Sequence, residues 1–398
     1  MKVAVGLSGG VDSALAAALL KEQGYEVTGV FIECWNEPGC RTDEDRKDAL
    51  GVALKLKIPF KVLDFKKEYR KKVLDWFYRE YKKGRTPNPD IVCNQEIKFG
   101  MFLRWARHAP GEARRMPGKL KFDYVATGHY ARLKPVYHSL SATDNFSLPA
   151  SENYLHTHHN RSDVRRRPSR LWLRKLAEKK IDRFQLLQSV DKNKDQTYFL
   201  AMLKQEQLSR VLFPIGHLMK KQVRLEAKKR GLKVWNKKDS SGICFVGHDL
   251  SFDEFLKIKI KEHEGKVINK KGEMIGKHKG VEFYTIGQRH GFEILEKSVK
   301  RPRYFAIEKD IKRNRLIVGR KPDLAKKEFE VEGWSWINGL QNLQVRNLQV
   351  RIRHQGRLIG CKITGKKVIL GKTEYGIAPG QVAVIYHGLE CLGGGVIA

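Results

Sequence analysis

The sequence predicts an α/β fold for its N-terminal part and an all-β fold for its C-terminal part. Three observations predict this. Over the first 130 residues, short apolar runs alternate with amphipathic stretches, the pattern of βαβ units around a parallel sheet. After about Lys266 the chain changes to short runs of Val, Ile, Tyr and Phe between glycines, the signature of a small barrel or two. The length of 398 residues suits two or three domains at roughly 150 residues each.

Taken in order, Lys2 to Leu7 is an apolar run that ends in Gly-rich sequence. Asp12 to Gln23 carries Leu15, Leu19 and Leu20 at helical spacing, and Gly24 stops it. Glu26 to Ile32 reads as a second strand. Thr42 to Asp45 resembles a capping box that opens a helix to about Lys57. Phe60 to Phe65 is strand-like, and Lys67 to Lys82 is a basic, aromatic helix. Arg85 to Asp90 is a proline-rich loop, Asn94 to His108 a helix, and Tyr124 to His129 a strand. From Lys134 to about Lys180 the periodicity dissolves into Ser, Asn, His and Arg. This reads as an inserted basic loop with a short helix near Leu171 to Lys179. Helical spacing returns at Gln196 to Leu203 and at Lys220 to Lys229.

Hydrophobic residues make up 41% of the chain, which excludes wholesale disorder. Lys and Arg number 78 against 44 Asp and Glu, a net charge of +34. That balance points to a polyanionic partner, nucleic acid first, although a membrane surface would also attract it. Six cysteines are too few for a disulfide scaffold. No run of ~18 apolar residues occurs, so no transmembrane helix is expected. Strand-like sequence begins at Lys2 and leaves no room for a signal peptide, so the expected compartment is the cytosol, where thiols stay reduced.

The segment Ser8-Gly9-Gly10-Val11-Asp12-Ser13 lies between the first strand and the first helix. Glycines let the backbone approach a phosphate, and a helix N-terminus favours an anion. Ser8 and Ser13 add hydroxyl donors. Asp12 cannot donate when ionised, so a Mg²⁺ bridge to the phosphates would explain an acid there. The plain alternative is an ordinary capped turn. A Walker loop would need a Lys, and none is present.

SGGVDS resembles the phosphate loop of the PP-loop ATP pyrophosphatases, which cleave ATP to AMP and pyrophosphate. Further motifs narrow the resemblance. They are TPNPDIVCN with IKFG (Thr86 to Gly100), ATGHYAR (Ala126 to Arg132) and DKNKDQTYFL (Asp191 to Leu200). KKDSSGICFVG (Lys237 to Gly247), YTIGQRHG (Tyr284 to Gly291) and CLGGGVI (Cys391 to Ile397) complete the set. Together, and in this order, they resemble the tRNA-specific 2-thiouridylases over nearly the whole chain. The resemblance implies a Rossmann-like PP-loop domain over residues 1–205, a small central tRNA-binding domain over 206–282 and a C-terminal β-barrel domain over 283–398. It implies ATP-dependent 2-thiolation of uridine in tRNA at the wobble position.

The chemistry fits the residue types. The C2 oxygen of uridine is a poor leaving group until AMP is placed on it. Sulfur can then be carried as a cysteine persulfide and released by a second cysteine. The resemblance assigns the persulfide to Cys244 and makes Cys93 the nucleophile that frees the sulfide or attacks the base. A transient Cys93–Cys244 disulfide would follow, and Asp90 would be a general acid or base. Sulfur would come from a cysteine desulfurase or a persulfide relay protein.

By the same resemblance, ATP meets Gly6, Leu7, Ser8, Gly9, Gly10, Val11, Asp12, Ser13, Ile32 and Gly128. The target base meets Asn88, Pro89 and Asp90, and tRNA meets His129, Lys194, Asp195, Gln196, Arg353, His354 and Gln381. The family usually has Tyr where His354 stands. Cys34, Cys40, Cys361 and Cys391 read as packing residues. No zinc spacing occurs, and His156, His158 and His159 lie in the loop, so no resident metal site is expected. The insertion carries ten Lys and Arg against four Asp and Glu and reads as a surface loop. A 2-thiocytidine enzyme would carry CxxC, which is absent. A small-metabolite synthetase would not need the charge, and a non-catalytic RNA-binding module would not need SGGVDS or both cysteines.

Overall fold

A computed structural model describes residues 1–35, 41–107, 121–137, 181–239, 251–295, 303–339 and 346–398. The N-terminal sheet has five parallel strands in the order β3 (Phe60–Asp64), β2 (Glu26–Glu33), β1 (Lys2–Gly6), β4 (Tyr124–Ala126) and β7 (Val211–Leu212). Helix α1 (Val11–Glu22) is buried along Ser13 to Leu20. It lies in one core with Ala49 and Val52 of α2 (Thr42–Leu56) and with Val223 and Ala227 of the helix Lys220–Lys229. The run of alanines in α1 lets these neighbours approach closely. The expected capping box at α2 does not form. Arg41 takes the N-cap position, and the Thr42 hydroxyl donates to the Trp35 carbonyl at 2.5 Å.

The region after Asn88 is helical earlier than its prolines suggest. Asn88 caps a short helix at Pro89–Val92, with proline at the first helical position where no N–H is needed. A π-helical stretch, Cys93–Met101, and then Phe102–Arg107 continue it. The inserted loop also starts later than expected. β5 (Ala131–Tyr137) pairs antiparallel with β6 (Ile181–Gln188), so Lys134 to Tyr137 are strand. β5 is the outermost strand of its sheet, where Pro135 can lack an N–H. The remainder of the insertion and the helix expected near Leu171 lie outside the described residues.

A second sheet takes β8 (Gly265–Ile268), β9 (Met274–His278), β10 (Glu293–Ile294), β11 (Phe305–Asp310) and β12 (Arg315–Gly319). The third is a closed six-stranded antiparallel barrel. It runs β13 (Ala325–Trp336), β16 (Lys367–Tyr375), β15 (Ile359–Thr364), β14 (Leu348–Arg351), β17 (Val382–His387) and β18 (Glu390–Ile397), then returns to β13. Divisions after residues 205 and 282 fall inside these units: β7 completes the first sheet, and the second sheet spans both sides of 282.

The barrel is stitched to the first domain. β6 pairs with β18 at Leu186 and Leu187, extending the barrel wall. Just beyond β6, the Asp195 carboxylate accepts from the Ser189 N–H at 3.1 Å, the Thr197 hydroxyl at 2.9 Å and the Arg351 guanidinium at 3.0 Å. Only 1% of that side chain and 12% of Arg351 are exposed. Removing one partner of a buried pair leaves the other charge uncompensated. Asp195→Ala is therefore expected to lower unfolding stability by about 3–5 kcal/mol, with Asp195→Asn less damaging because it keeps an acceptor. Denaturant titration checks this.

Candidate active site

β1 ends at Gly6 and α1 begins at Val11, so the connecting loop sits at the carboxyl edge of the parallel sheet, where such folds bind ligands. Two hydroxyls close the loop on itself. Ser13 Oγ accepts from the Ser8 N–H at 3.1 Å, lies 3.2 Å from Ser8 Oγ, and donates to the Gly10 carbonyl at 3.2 Å. Gly9 has φ +72°, and a Cβ there would stand 2.4 Å from the Asp45 carbonyl oxygen of α2. A Cβ on Gly128 would stand 2.5 Å from the Ser13 nitrogen. Both positions need glycine to let chain segments close around the start of α1. Gly6 at the end of β1, Ile32 near the end of β2 and Gly128 just past β4 share this edge. The structure thus gathers the residues expected to meet ATP.

Three further residues, outside the set expected from the sequence, stand at the loop. The Lys220 ammonium contacts both Asp12 carboxylate oxygens, at 2.7 and 2.8 Å, and Asp239 at 2.9 Å. The Tyr130 hydroxyl donates to Asp12 at 2.8 Å. Burial and the neighbouring Asp12 hold the Tyr130 phenol in its protonated form. Asp239 also pairs with Lys194 and Arg224. Burial pushes the Asp239 carboxyl up, but hydrogen bonds from Lys194 and Lys220 outweigh it and bring it to about 2. Asp239 and Tyr130 lie inside quoted motifs and were findable there. Lys220 carries no local signature beyond opening a helix.

The second part of the site is built on the Pro89–Val92 helix. Asn88 Oδ1 accepts from the Asp90 N–H at 3.2 Å, and Asn94 Nδ2 donates to the Asp90 carbonyl at 3.0 Å. Burial pushes the Asp90 carboxyl up against the opposing pull of Lys98. Cys93 is buried among Tyr69, Phe77, Ile97, Phe255 and Tyr284. Ile32, Cys34 and Trp35 pack on the same cluster, so the end of β2 joins the cysteine to the loop edge. Cys244 and Cys40 lie outside the described residues. The chain that flanks Cys244 is placed on either side: Lys237 reaches Asp45 at 2.7 Å, beside Gly9. Ser251 caps the helix Phe252–Lys257, whose Phe255 joins the Cys93 cluster. Burial pushes the Cys361 thiol up to about 12 and the Cys391 thiol well above its usual range, so neither is a nucleophile near neutral pH.

Residues expected to meet tRNA find partners within the protein. His129 is buried with Nδ1 2.8 Å from the Thr127 hydroxyl and its ring against Phe99 and Phe213. Burial and Lys98 hold its pKa well below the usual value, so the ring is neutral. Lys194 bonds to Asp239, Asp195 to Arg351, and Gln196 accepts from the Tyr130 N–H at 2.9 Å. The His354 ring packs against the Phe199 ring in a tilted arrangement, with centroids 4.3 Å apart. Gln381 donates to the Thr86 carbonyl at 2.7 Å. Arg353, which pairs with Glu374, lines with Gln381 a cleft of about 330 Å³ between the second sheet and the barrel. Thr285, Lys321 and Tyr375 line the same cleft.

Three family models match in sequence: a tRNA methyl transferase HUP domain over residues 1–248, a tRNA methyl transferase PRC-barrel domain over 253–320 and an aminomethyltransferase beta-barrel domain over 326–397. The chain is 37% identical over 409 residues to the tRNA-specific 2-thiouridylase MnmA of Levilactobacillus brevis, covering 100% of this chain and 95% of that protein. It is 38% identical over 410 residues to the protein of that name from Nitrosomonas europaea, covering 100% and 98%.

The chain belongs to the tRNA-specific 2-thiouridylase family. The first matched segment holds the loop, Asp90, Cys93 and Cys244 of this thiouridylase-family chain, and the third holds Arg353, His354 and Gln381. The matched segments also follow the three sheets, with the second ending one residue beyond β12.

The Asp90 environment has a consequence for stability. A carboxyl whose folded pKa is raised contributes stability below its unfolded pKa, near 3.9, and loses it as pH rises through the folded value. Asp90→Asn is therefore expected to be more stable than the native chain at pH 7, with the difference closing below about pH 4. Thermal melts of both proteins across pH 3 to 8 check the sign.

Proposed function

We propose that this chain replaces the C2 oxygen of a tRNA uridine, at the wobble position 34, with sulfur, and consumes ATP in doing so. The single observation that carries the reading is the placement of Cys93. A phosphate-type loop closes the sheet edge, and the buried cysteine lies in a cluster that the end of β2 reaches from that same edge. Family membership and the +34 charge support tRNA as substrate. The target base would flip out of its stack, since C2 is inaccessible within it.

In the proposed reaction the uridine O2 attacks the α-phosphorus of ATP, pyrophosphate leaves, and the ring gives up its N3 proton. Asp90, with a carboxyl raised towards the working pH, suits that exchange. The terminal sulfur of a persulfide on Cys244 then attacks C2 and AMP departs. The Cys93 thiolate attacks Cys244 Sγ, the sulfur–sulfur bond breaks, and the sulfur stays on C2. A Cys93–Cys244 disulfide results, and two electrons from a reductant restore it. Sulfur is supplied by a cysteine desulfurase or a persulfide relay protein, and we place the reaction in the cytosol. Among the described residues no helix is long and apolar enough to cross a membrane.

Among the described residues no group of three His, Cys, Asp or Glu side chains is placed to hold a metal. Asp12 at the start of α1 would hold a Mg²⁺ ion brought with ATP, and the ion would neutralise phosphate charge there. Lys194, Asp195 and Gln196 would shape the site that tRNA enters, together with His129. Arg353, His354 and Gln381 would lie near its barrel side.

The test is thiolation of a transcript tRNA by purified variants. Cys93→Ser and Cys244→Ser are each expected to stop thiolation and spare pyrophosphate release. Cys93→Ser still accepts a persulfide, read by mass spectrometry, and Cys244→Ser does not. Cys361→Ser and Cys391→Ser remain active at a temperature where they stay folded. Full thiolation by Cys244→Ser would overturn the sulfur route.

A further inference from the structure

The loop from Gly6 to Ser13 contains no Lys or Arg. A polyphosphate held there meets the positive end of α1, which offsets only about half an elementary charge. Further positive charge must come from another part of the chain, and the geometry places it. We propose that Lys220 is the loop's pyrophosphate ligand, holding the β- and γ-phosphates of ATP through its ammonium group. This rests on the ATP reading above.

Four observations support the assignment. The ammonium lies 2.7 and 2.8 Å from the oxygens of Asp12, the second residue of α1, so it already stands at the mouth of the loop. Its side chain is only 12% exposed, and the Tyr130 ring lies 5.7 Å away. The charge is therefore poorly screened by water and acts strongly at short range.

Its backbone is held as well. Lys220 opens the helix Lys220–Lys229, its N–H donates to Asp191 at 2.9 Å, and that helix packs on α1 through Val223 and Ala227. Finally, the carboxylates paired to Lys220 have other donors, the Tyr130 hydroxyl on Asp12 among them. Lys194, Lys220 and Arg224 converge on Asp239, with Asp12 as the other carboxylate paired to Lys220. Asp239 has two other cations, so Lys220 can exchange carboxylate contacts for phosphate oxygens without leaving Asp239 unpaired.

Calorimetry with inorganic pyrophosphate and with AMP as separate probes tests the proposal on the full-length chain. Lys220→Met is expected to weaken pyrophosphate binding on the order of 10- to 100-fold, as expected for loss of a charge-assisted contact, and to change AMP binding by less than about 3-fold. Lys220→Arg retains the charge without the compact point donor and falls between the two. In steady state Lys220→Met raises the KM for ATP. If Lys220→Met does not fold, judged by its melting curve, the comparison of Lys220→Arg with the native chain decides: pyrophosphate affinity is reduced and AMP affinity retained. Native-like pyrophosphate binding in a folded Lys220→Met or in Lys220→Arg overturns the proposal, as does equal loss of both probes. If the native chain binds neither ATP nor pyrophosphate, the ATP reading itself fails.

Discussion

Asp195 is the point on which the arrangement of the domains turns. Its carboxylate is buried and collects the Ser189 N–H, the Thr197 hydroxyl and the Arg351 guanidinium. A buried carboxylate persists only when its lone pairs are met, so each donor is fixed by the need to satisfy it. The residues on either side extend the constraint. Lys194 reaches Asp239 beside the phosphate-type loop, and Gln196 holds the Tyr130 backbone at the end of the parallel sheet. Three consecutive residues therefore fasten three parts of the molecule. Beyond them Thr197 meets the Tyr386 hydroxyl, and Tyr198 donates to the Val382 carbonyl of the barrel. The barrel is thus referenced to the loop through a short run of hydrogen-bonded residues.

A second joint works from the opposite side. Gln381 and the Pro379 carbonyl clasp the backbone of Thr86, while the Thr86 hydroxyl meets Thr285 of the central domain. Thr86 opens the motif that continues through Asn88 and Asp90 to Cys93. The position of the cysteine helix is consequently set by both C-terminal units as well as by its own packing. The phosphate-type loop is thus placed by the parallel sheet, and Cys93 is placed where the three units meet.

Much of this was legible in the sequence where the determinants are local. The loop at Ser8 to Ser13 is readable because strand, glycines and helix are contiguous, and the closed barrel follows from the Gly-punctuated apolar runs. The hairpin strand at Ala131 to Tyr137 was not readable in full, because Pro135 and the polar neighbours hide an edge strand that is defined by its partner β6. The capping box is absent because the helix already includes Thr42: Arg41 takes the N-cap position, and the Thr42 hydroxyl donates to the Trp35 carbonyl seven residues away. Lys220 was invisible for a related reason: its role depends on the packing of two helices from distant parts of the chain. Polar motif residues such as Asp195 and Gln196 read as contacts to a ligand, whereas the structure gives them partners inside the protein. A motif marks residues that matter, without saying whether they face a substrate or hold the fold.

The account stands on activation of the uridine C2 oxygen by adenylation before sulfur arrives. The most direct measurement uses a substrate tRNA with ¹⁸O at C2 of the target uridine, incubated with the enzyme, ATP and a persulfide donor, with AMP analysed by mass spectrometry. Adenylation of O2 followed by sulfur attack at C2 places the label in AMP, with one labelled AMP for each thiolated uridine. Thiolated tRNA formed with unlabelled AMP, or without AMP, would contradict the account.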